Sequence, residues 1–472
     1  MNPTQTTTNN TNLIWDYTVD VLVIGSGFAG LSAAIEAKNK NIDVLVIEKM
    51  NSYGGNSIIS DGGIAAPNTQ HQKQVGITDS EQQMYDDMLT AGLGLNHPDL
   101  LHTLITHAKS AFEWTINTLE VPYLNRVDRF GGHSVSRCYT PVGVSGSTII
   151  LKMIEQIKKQ NIPIHYQVCF KSFIINHQGH IIGAHVLKDY DYKTNTGRIK
   201  TIKTNRGIIL TSGGFGADVP FRSMQDPRLT QQIQTTNKPF ATAEALKSAL
   251  SIGAASVQLS QIQLGAWASP DEKGFGAGPL FADYILFQYG IMIDPKTGKR
   301  FVNELGDRKQ TADAILSIGH PCIGITDHHA VIQSGWDISR AIKKGVVKTF
   351  NTLEAISDYY TIEVSALKQT LADYNHSVKK SHDSLFHKPI VSNAKMIEQP
   401  PYYVMRLWPK VHYTMGGVAI NSNAQVLDFN GNIIQGLYAA GEVVGGIHGA
   451  SRLGSCAITD CIVFGRIAGQ TI

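Results

Sequence analysis

The chain has no C-x-x-C pair and no C-x-x-C-H, so neither an attached c-type haem nor a cysteine-held iron–sulfur cluster is expected in it. Its five cysteines, Cys138, Cys169, Cys322, Cys456 and Cys461, are odd in number and scattered. That pattern fits reduced, buried thiols and not a disulfide framework. No apolar stretch approaches the ~18–20 residues needed to cross a bilayer, so no membrane span is expected. The N-terminus MNPTQTTTNNTNLIWDY lacks a charged start and an apolar stretch behind it, and does not read as a signal peptide. A disordered tail over residues 1–17 is expected, with a cytoplasmic location, or a periplasmic one if a signal has been removed from a mature chain. Basic runs are missing too. The 41 Lys and Arg against 38 Asp and Glu leave a net charge of +3, which gives nucleic acid no footprint.

What is present is an ordinary globular balance, 17% charged and 42% hydrophobic. The 472 residues allow two or three domains at roughly 100–200 residues each. The first strong element is VDVLVIGSGFAGLSAAIEAKNKNIDVLVIEK. VDVLVI is a β-branched apolar run, the signature of a buried parallel strand. Gly25, Gly27 and Gly30 then form G-x-G-x-x-G with Ala29 among them, and a helical pattern follows. Gly25 allows the tight turn, Gly27 the approach of a pyrophosphate, and Gly30 the packing of helix on strand. A second strand, DVLVIE, ends in Glu48 and Lys49, with Glu48 placed 18 residues after Gly30. An acid at that spacing hydrogen-bonds a ribose, so strand, glycines, helix and acid together predict a dinucleotide site.

SYGGNSIISDGG, with Gly55, Asn56, Ser57, Gly62 and Gly63, suggests backbone lying against a ligand. Helical patterns dominate from about Asp79 to Leu119, and IHYQVCFKSFIINHQGHIIGAHVL alternates as strands. GIILTSGGFG runs a strand into glycines around Gly213. From about Ser256 the character changes to longer loops, more aromatics and a DPKTGKRF hairpin, and glycine-rich sequence returns at Tyr413. The expected fold is α/β: a discontinuous Rossmann-like domain over 18–255 and 413–472, with an inserted α+β capping domain over 256–412.

The motifs GSGFAG, GGNSIISDGG, TSGGFG, GKRFVNE, HYTMGG, GLYAAGE and HGASRLG, in this order, resemble the flavoproteins of the fumarate reductase and succinate dehydrogenase superfamily, in its soluble flavocytochrome-like branch. The resemblance runs from about Val19 to the C-terminus. It implies FAD in the glycine-rich site, with Glu48 on the adenosine ribose and Gly441 and Glu442 at the ribityl chain. The segment from Gly454, with Ser455, Ala457 and Ile458, would face the flavin pyrimidine. Asn56 stands where some members carry the histidine that binds FAD covalently, so non-covalent FAD is implied.

The resemblance also implies hydride transfer from flavin N5 to the β-carbon of an α,β-unsaturated acid. His412 and Arg452 would clamp the substrate carboxylate, an Arg fork matching it bidentately. Arg308 would deliver the proton. A guanidinium, with a pKa above about 12, is a poor acid alone and must be resupplied. Asp283 aligns with the relay glutamate, as proton relay, substrate partner or both. His133 fits either an approach to the site or a satisfied structural histidine. The Asp327–His329 DHH turn is a poor metal site, since adjacent histidines rarely face one ion. Of the aromatics Trp267, Phe281, Tyr284, Phe287 and Tyr289, about two are expected to line the pocket, with Trp267 and Phe281 named as substrate contacts.

The departure lies in SQIQLGAWASPDEKGFGAGPLFADYILFQYG. The family's fumarate reductases carry a histidine after IQ that grips the second carboxylate. Gly265 stands there instead and is expected to open room. A helping threonine aligns with Ala282, and a second relay arginine with Leu286. A buried carboxylate without donors is costly, so a dicarboxylate is disfavoured and a monocarboxylate such as urocanate, (meth)acrylate or a cinnamate-type acid is expected. Electrons would come from a separate donor, a c-type cytochrome or a flavin reductase. The alternatives are a plain fumarate reductase, a ketosteroid-type dehydrogenase, and an electron-transfer subunit with no substrate of its own.

Overall fold

The structure, a computed structural model, describes residues 14–391 and 393–472. The expected tail falls largely on residues outside this range. Its last residues depart from the expectation: the Asp16 N–H donates to the Thr201 carbonyl at 3.1 Å, and Tyr17 opens a strand.

The elements that carry the site are β1 (Tyr17–Ile24), α1 (Phe28–Asn39), β2 (Val44–Glu48), β3 (Thr196–Leu210), β4 (Ile262–Gly265), α2 (Arg308–Ile318), β5 (Lys410–Thr414), β6 (Ile433–Ala439) and α3 (Cys456–Thr471). In the main, eight-stranded sheet, β6, β3, β1 and β2 lie side by side in parallel, with Ile164–Tyr166 beyond β2. Val21, Leu22 and Val23 are fully buried, because a parallel sheet is covered on both faces and its strands read as continuous apolar runs. The antiparallel strands Val168–Ile175 and Ile181–Asp191 extend from β3.

Gly25 ends β1 at φ +106° and is followed directly by the turn into α1. A side chain on Gly30 would put its Cβ 2.0 Å from the Gly25 carbonyl oxygen, so the helix can sit this close only without one. The carboxyl ends of β1, β2, β3 and β6 open on the same side, where ligands of such sheets bind.

A second sheet of five antiparallel strands is built wholly from residues between Ile291 and Leu407. It has its own core of Ile291, Ile293, Ile323, Ile325, Leu367 and Leu371. The DPKTGKRF turn is the hairpin joining its first two strands, with Ile293 opposite Arg300. The DHH turn starts a helix: the Asp327 carboxylate caps it by accepting from the Ala330 N–H at 3.2 Å. All five cysteines are unpaired thiols, four of them buried. Among the described residues no helix is long and apolar enough to cross a membrane.

Candidate active site

A groove runs along the strand ends. Its first half is lined by Gly25, Ser26, Gly27 and Ala29 from the β1–α1 turn, Glu48 and Lys49 from the end of β2, Gly55, Asn56 and Ser57, Gly213 after β3, and Gly441 and Glu442 after β6. Glu48 is held in place by the Ser26 hydroxyl at 2.6 Å and the Met50 N–H at 2.9 Å. Lys49 pairs with Glu244 at 3.3 Å across the mouth.

A second cavity continues the first and shares Phe28, Asn56, Ser57, Glu442 and Cys461 with it. Here Arg308, Asp283, His412 and Arg452 converge, with Trp267, Phe275, Pro279 and Leu280 in the same lining and Ser455, Ala457 and Ile458 at the α3 end; the Trp267 ring stands edge-on to His412 at 4.6 Å and lies 5.5 Å from the Arg308 guanidinium. Arg452 is 3% exposed, and no carboxylate among the described residues pairs with it. Its Nη1 donates to the Leu453 carbonyl at 3.0 Å, its guanidinium lies 4.7 Å from the Tyr413 ring centre, and its Nε is buried without a partner. Burial, helped by Arg308, lowers its pKa to about 10, so it remains charged near neutrality.

His412 is carried on β5, and its Nδ1 meets the Thr236 hydroxyl at 2.8 Å. Burial first, then Arg452 and Arg308, hold its pKa well below the ordinary value, so the imidazole is neutral. When Nδ1 accepts from Thr236, Nε2 carries the proton and is left as a donor. Arg308 opens α2 directly after its capping residue Asp307, which fixes the start of the side chain. Its Nη2 donates to the Asp283 carboxylate at 3.3 Å. Burial raises the Asp283 carboxyl to about 7, against the pull of Arg308. Asp283 sits on a wide π-helical turn, Ala282–Leu286, an irregularity often found at functional sites.

Gly265 does not line the cavity. The room expected beside it is taken by the indole of Trp267: a Cβ on Gly265 would lie 2.9 Å from that ring. Gly265→His is therefore expected to lower the melting temperature and add no fumarate turnover, since overpacking a core costs about 1–3 kcal/mol. A gain in fumarate reduction would refute this account of the glycine.

Phe281 is also absent from the lining and is buried instead in the core. In a helix, residues two apart lie on opposite sides, whereas Pro279 and Leu280, four and three before Asp283, share its face. Of the five aromatics considered, only Trp267 is in the wall. Phe275, from the inserted SPDEKGFG segment, also lines the cavity, as do Phe28 and Tyr413, and none of these was anticipated, nor were Thr236, Asn237 and Asp61. Gly30 and Gly62 lie outside both linings and serve close packing. His133 lies outside them as well, its Nε2–H donating to the Gly454 carbonyl at 2.9 Å and its Nδ1 accepting from Arg137 Nη1 at 3.2 Å. Leu286 is fully buried against Gly324 of the second sheet.

Residues 20–458 match the FAD binding domain family. The chain belongs to that family. This flavoprotein is similar to the acrylate reductase flavoprotein subunit of Shewanella woodyi, at 41% identity over 98% of this chain and 92% of that one. It is 34% identical to the fumarate reductase (cytochrome) of Shewanella frigidimarina over 96% of this chain and 76% of that one. The urocanate reductase of Eggerthella lenta is 33% identical over 96% and 74%. Among solved structures, the open conformation of a flavocytochrome c3 fumarate reductase matches with a TM-score of 0.76 and 30% identity, over 97% of this chain and 78% of that one. A 3-ketosteroid dehydrogenase from Rhodococcus jostii, 21% identical with a TM-score of 0.77 over 98% of both chains, shares the fold.

The residues of the flavoprotein fit FAD. The groove is continuous from Glu48 to Ser455, long enough for a dinucleotide and a fused ring system. Two buried groups along it lack the partner a ligand would supply. Glu442, pushed up to about 7 by burial, meets only Thr414, and the Ser455 hydroxyl meets nothing. Ser455 precedes α3, whose first N–H groups have no acceptor within the helix and favour a ligand with negative character.

Proposed function

We propose that this flavoprotein reduces the carbon–carbon double bond of a small unsaturated monocarboxylate, with acrylate and methacrylate foremost. The observation that carries the reading is the buried Arg452, which no described carboxylate meets at salt-bridge distance, beside a neutral His412 in a cavity also lined by Trp267, Phe275, Pro279 and Leu280. A buried cation without a carboxylate partner is costly, and a substrate carboxylate relieves that cost. Apart from Arg452 and His412, the one cation of the lining is Arg308, already engaged by Asp283, and Asp61 adds a further carboxyl, so the cavity disfavours a second carboxylate. Trp267 and Phe275 crowd the clamp, with ring centres 4.6 and 6.4 Å from that of His412, and on that ground we rank a three- or four-carbon acid above urocanate or a cinnamate. We assign residues 256–412 as the cap that carries these rings.

Glu48, Glu442 and the α3 N-terminus would hold FAD, which when bound would supply the hydride chemistry. Asn56 is spent on Asn237 and Lys238, at 2.6 and 2.8 Å, and the single histidine in the two linings, His412, is tied to Thr236, which favours non-covalent binding. Arg452 and His412 Nε2–H hold the carboxylate and draw electron density from the double bond. Arg308 gives its proton to the α-carbon and recovers one from Asp283. Electrons enter from a separate donor of the c-type cytochrome or flavin reductase kind.

Fumarate is the second reading. The Trp267 Nε1–H is buried without a partner and is one donor that a second carboxylate would find. A neutral steroid has no use for Arg452, and an electron-transfer subunit has no use for Arg308. Purified protein with dithionite-reduced methyl viologen is expected to be re-oxidised by acrylate and methacrylate much faster than by fumarate. Fast turnover of fumarate alone overturns the reading in favour of the second. No turnover of acrylate, methacrylate, urocanate, cinnamate or fumarate overturns both.

A further inference from the structure

Arg308 and Asp283 can deliver one proton per turnover only if Asp283 is refilled. The position where the resemblance implies a relay arginine holds Leu286, buried away from the cavity against Gly324. A different line of polar side chains enters the cavity from another side. Asp61 lines the cavity together with Asp283 and Arg308. The Tyr284 hydroxyl donates to Asp61 Oδ2 at 3.2 Å. The Thr140 hydroxyl meets that of Tyr284 at 3.2 Å and reaches Asp128 Oδ2 at 3.4 Å. Asp128 in turn pairs with Arg126 at 2.6 Å, and the Arg126 side chain is 35% exposed.

We propose that protons reach Asp283 and Arg308 along Asp128, Thr140, Tyr284 and Asp61, entering at the face covered by Arg126 and crossing the cavity from Asp61 to Asp283 through water. The proposal rests on the reading that this cavity reduces an unsaturated acid. Each step balances. Asp128 takes a proton from solvent and passes it to the Thr140 oxygen. Thr140 gives its own proton to Tyr284, Tyr284 gives its own to Asp61, and rotation of the two hydroxyls resets the line. One proton enters, one reaches the α-carbon, and the hydride supplies the two electrons.

The line is not what packing alone requires. Tyr284 is wedged by its ring, edge-on to Phe130 at 5.0 Å and tilted on Trp336 at 4.3 Å, so a phenylalanine would fill the same space. Its hydroxyl instead lies between Asp61 and a threonine that reaches Asp128. The two carboxylates are joined through buried hydroxyls in one unbroken line of hydrogen-bonding oxygens. The groups that face them agree. Asp128 meets Arg126, Thr140 and, at longer range, Asp61, and burial pushes its carboxyl up. Asp61 accepts from the Gly63 N–H at 3.1 Å, and its nearness adds to the burial that raises Asp283, while Arg308 and Arg452 oppose that rise. The phenol of Tyr284 is held far above its usual range by burial and by Asp61, Asp128 and Asp283, so it passes protons and does not ionise.

The test uses the holoprotein and acrylate with reduced methyl viologen. Tyr284→Phe is expected to lower kcat by about 10- to 100-fold, leave KM within about twofold and keep FAD, as loss of a proton-transfer group does. The solvent deuterium isotope effect on kcat should rise, and small weak acids such as imidazolium should restore part of the rate. Thr140→Ser should keep the rate and Thr140→Val should lose it, although valine matches the shape of threonine and serine leaves out its methyl. A Tyr284→Phe enzyme with unchanged kcat, isotope effect and pH profile overturns the line while leaving the reductase reading intact. Wild-type protein that reduces no acid overturns the reading and the line together. If Tyr284→Phe fails to fold, the pair at Thr140 decides: equal rates for Ser and Val overturn the line.

Discussion

Arg308→Gln is expected to keep its FAD and lose about three powers of ten in kcat, within the range that a positioned acid contributes. FAD is retained because Arg308 belongs to the second cavity and not to the dinucleotide half of the groove. The turnover is lost because glutamine offers an N–H of similar reach but no proton to give up. Arg308 also lowers the Asp283 pKa, and without it burial drives that carboxyl higher still. The sign follows for the parent enzyme. A carboxyl raised to about 7 holds its proton below that pH and loses it above. The supply to Arg308 therefore fails as pH rises, and kcat should fall through about pH 7. Arg308→Lys restores the charge but not the planar fork that reaches both Asp283 and substrate, so it should fall between the two. FAD absorbance with viologen-linked turnover across pH measures all of this. A glutamine variant within about tenfold of the parent enzyme sets aside Arg308 as the acid.

The parts of the site legible in the sequence are those set by local backbone chemistry. G-x-G-x-x-G after an apolar strand specifies a turn, a helix start and a ligand side, and Glu48 follows from the length of one β–α–β unit. Arg308, Asp283, His412 and Arg452 are far apart in the chain, and periodicity says nothing of their meeting. Only the order of motifs placed them together, and they do line one cavity. The far wall was legible in composition and not in direction. Gly265 next to Ala266 and Trp267 reads as space, yet the indole folds back over the glycine, a contact between residues two apart on a strand end that no pattern encodes. Phe281 and Leu280 are equally apolar in sequence, and the helical phase alone decides which faces the ligand. Asp61 carries no local signal of its role, because its partner Tyr284, and Thr140 beyond it, come from two other segments.

Arg452→Gln separates a functional cation from a structural one, because the two roles move stability in opposite directions. Arg452 is buried, meets no described carboxylate at salt-bridge distance, and leaves Nε without a partner. Arg308 pushes against it. A group in this state costs the free protein stability, and it persists because its counter-ion arrives with the substrate. Removing the charge should therefore leave the acid-free holoprotein as stable as before or more so, read as an equal or higher melting temperature. The same change removes the fork that holds the substrate carboxylate. Truncating one partner of a buried, hydrogen-bonded charge pair costs about 3 kcal/mol, or roughly two powers of ten in KM. The rise in melting temperature that acrylate or its saturated product gives the parent enzyme should vanish with it. His412 alone cannot compensate, because burial and the two arginines keep it neutral. If Arg452 were instead a brace for Leu453 and Tyr413, the variant would melt lower and bind acid as before. That pair of results would place the carboxylate elsewhere in the cavity.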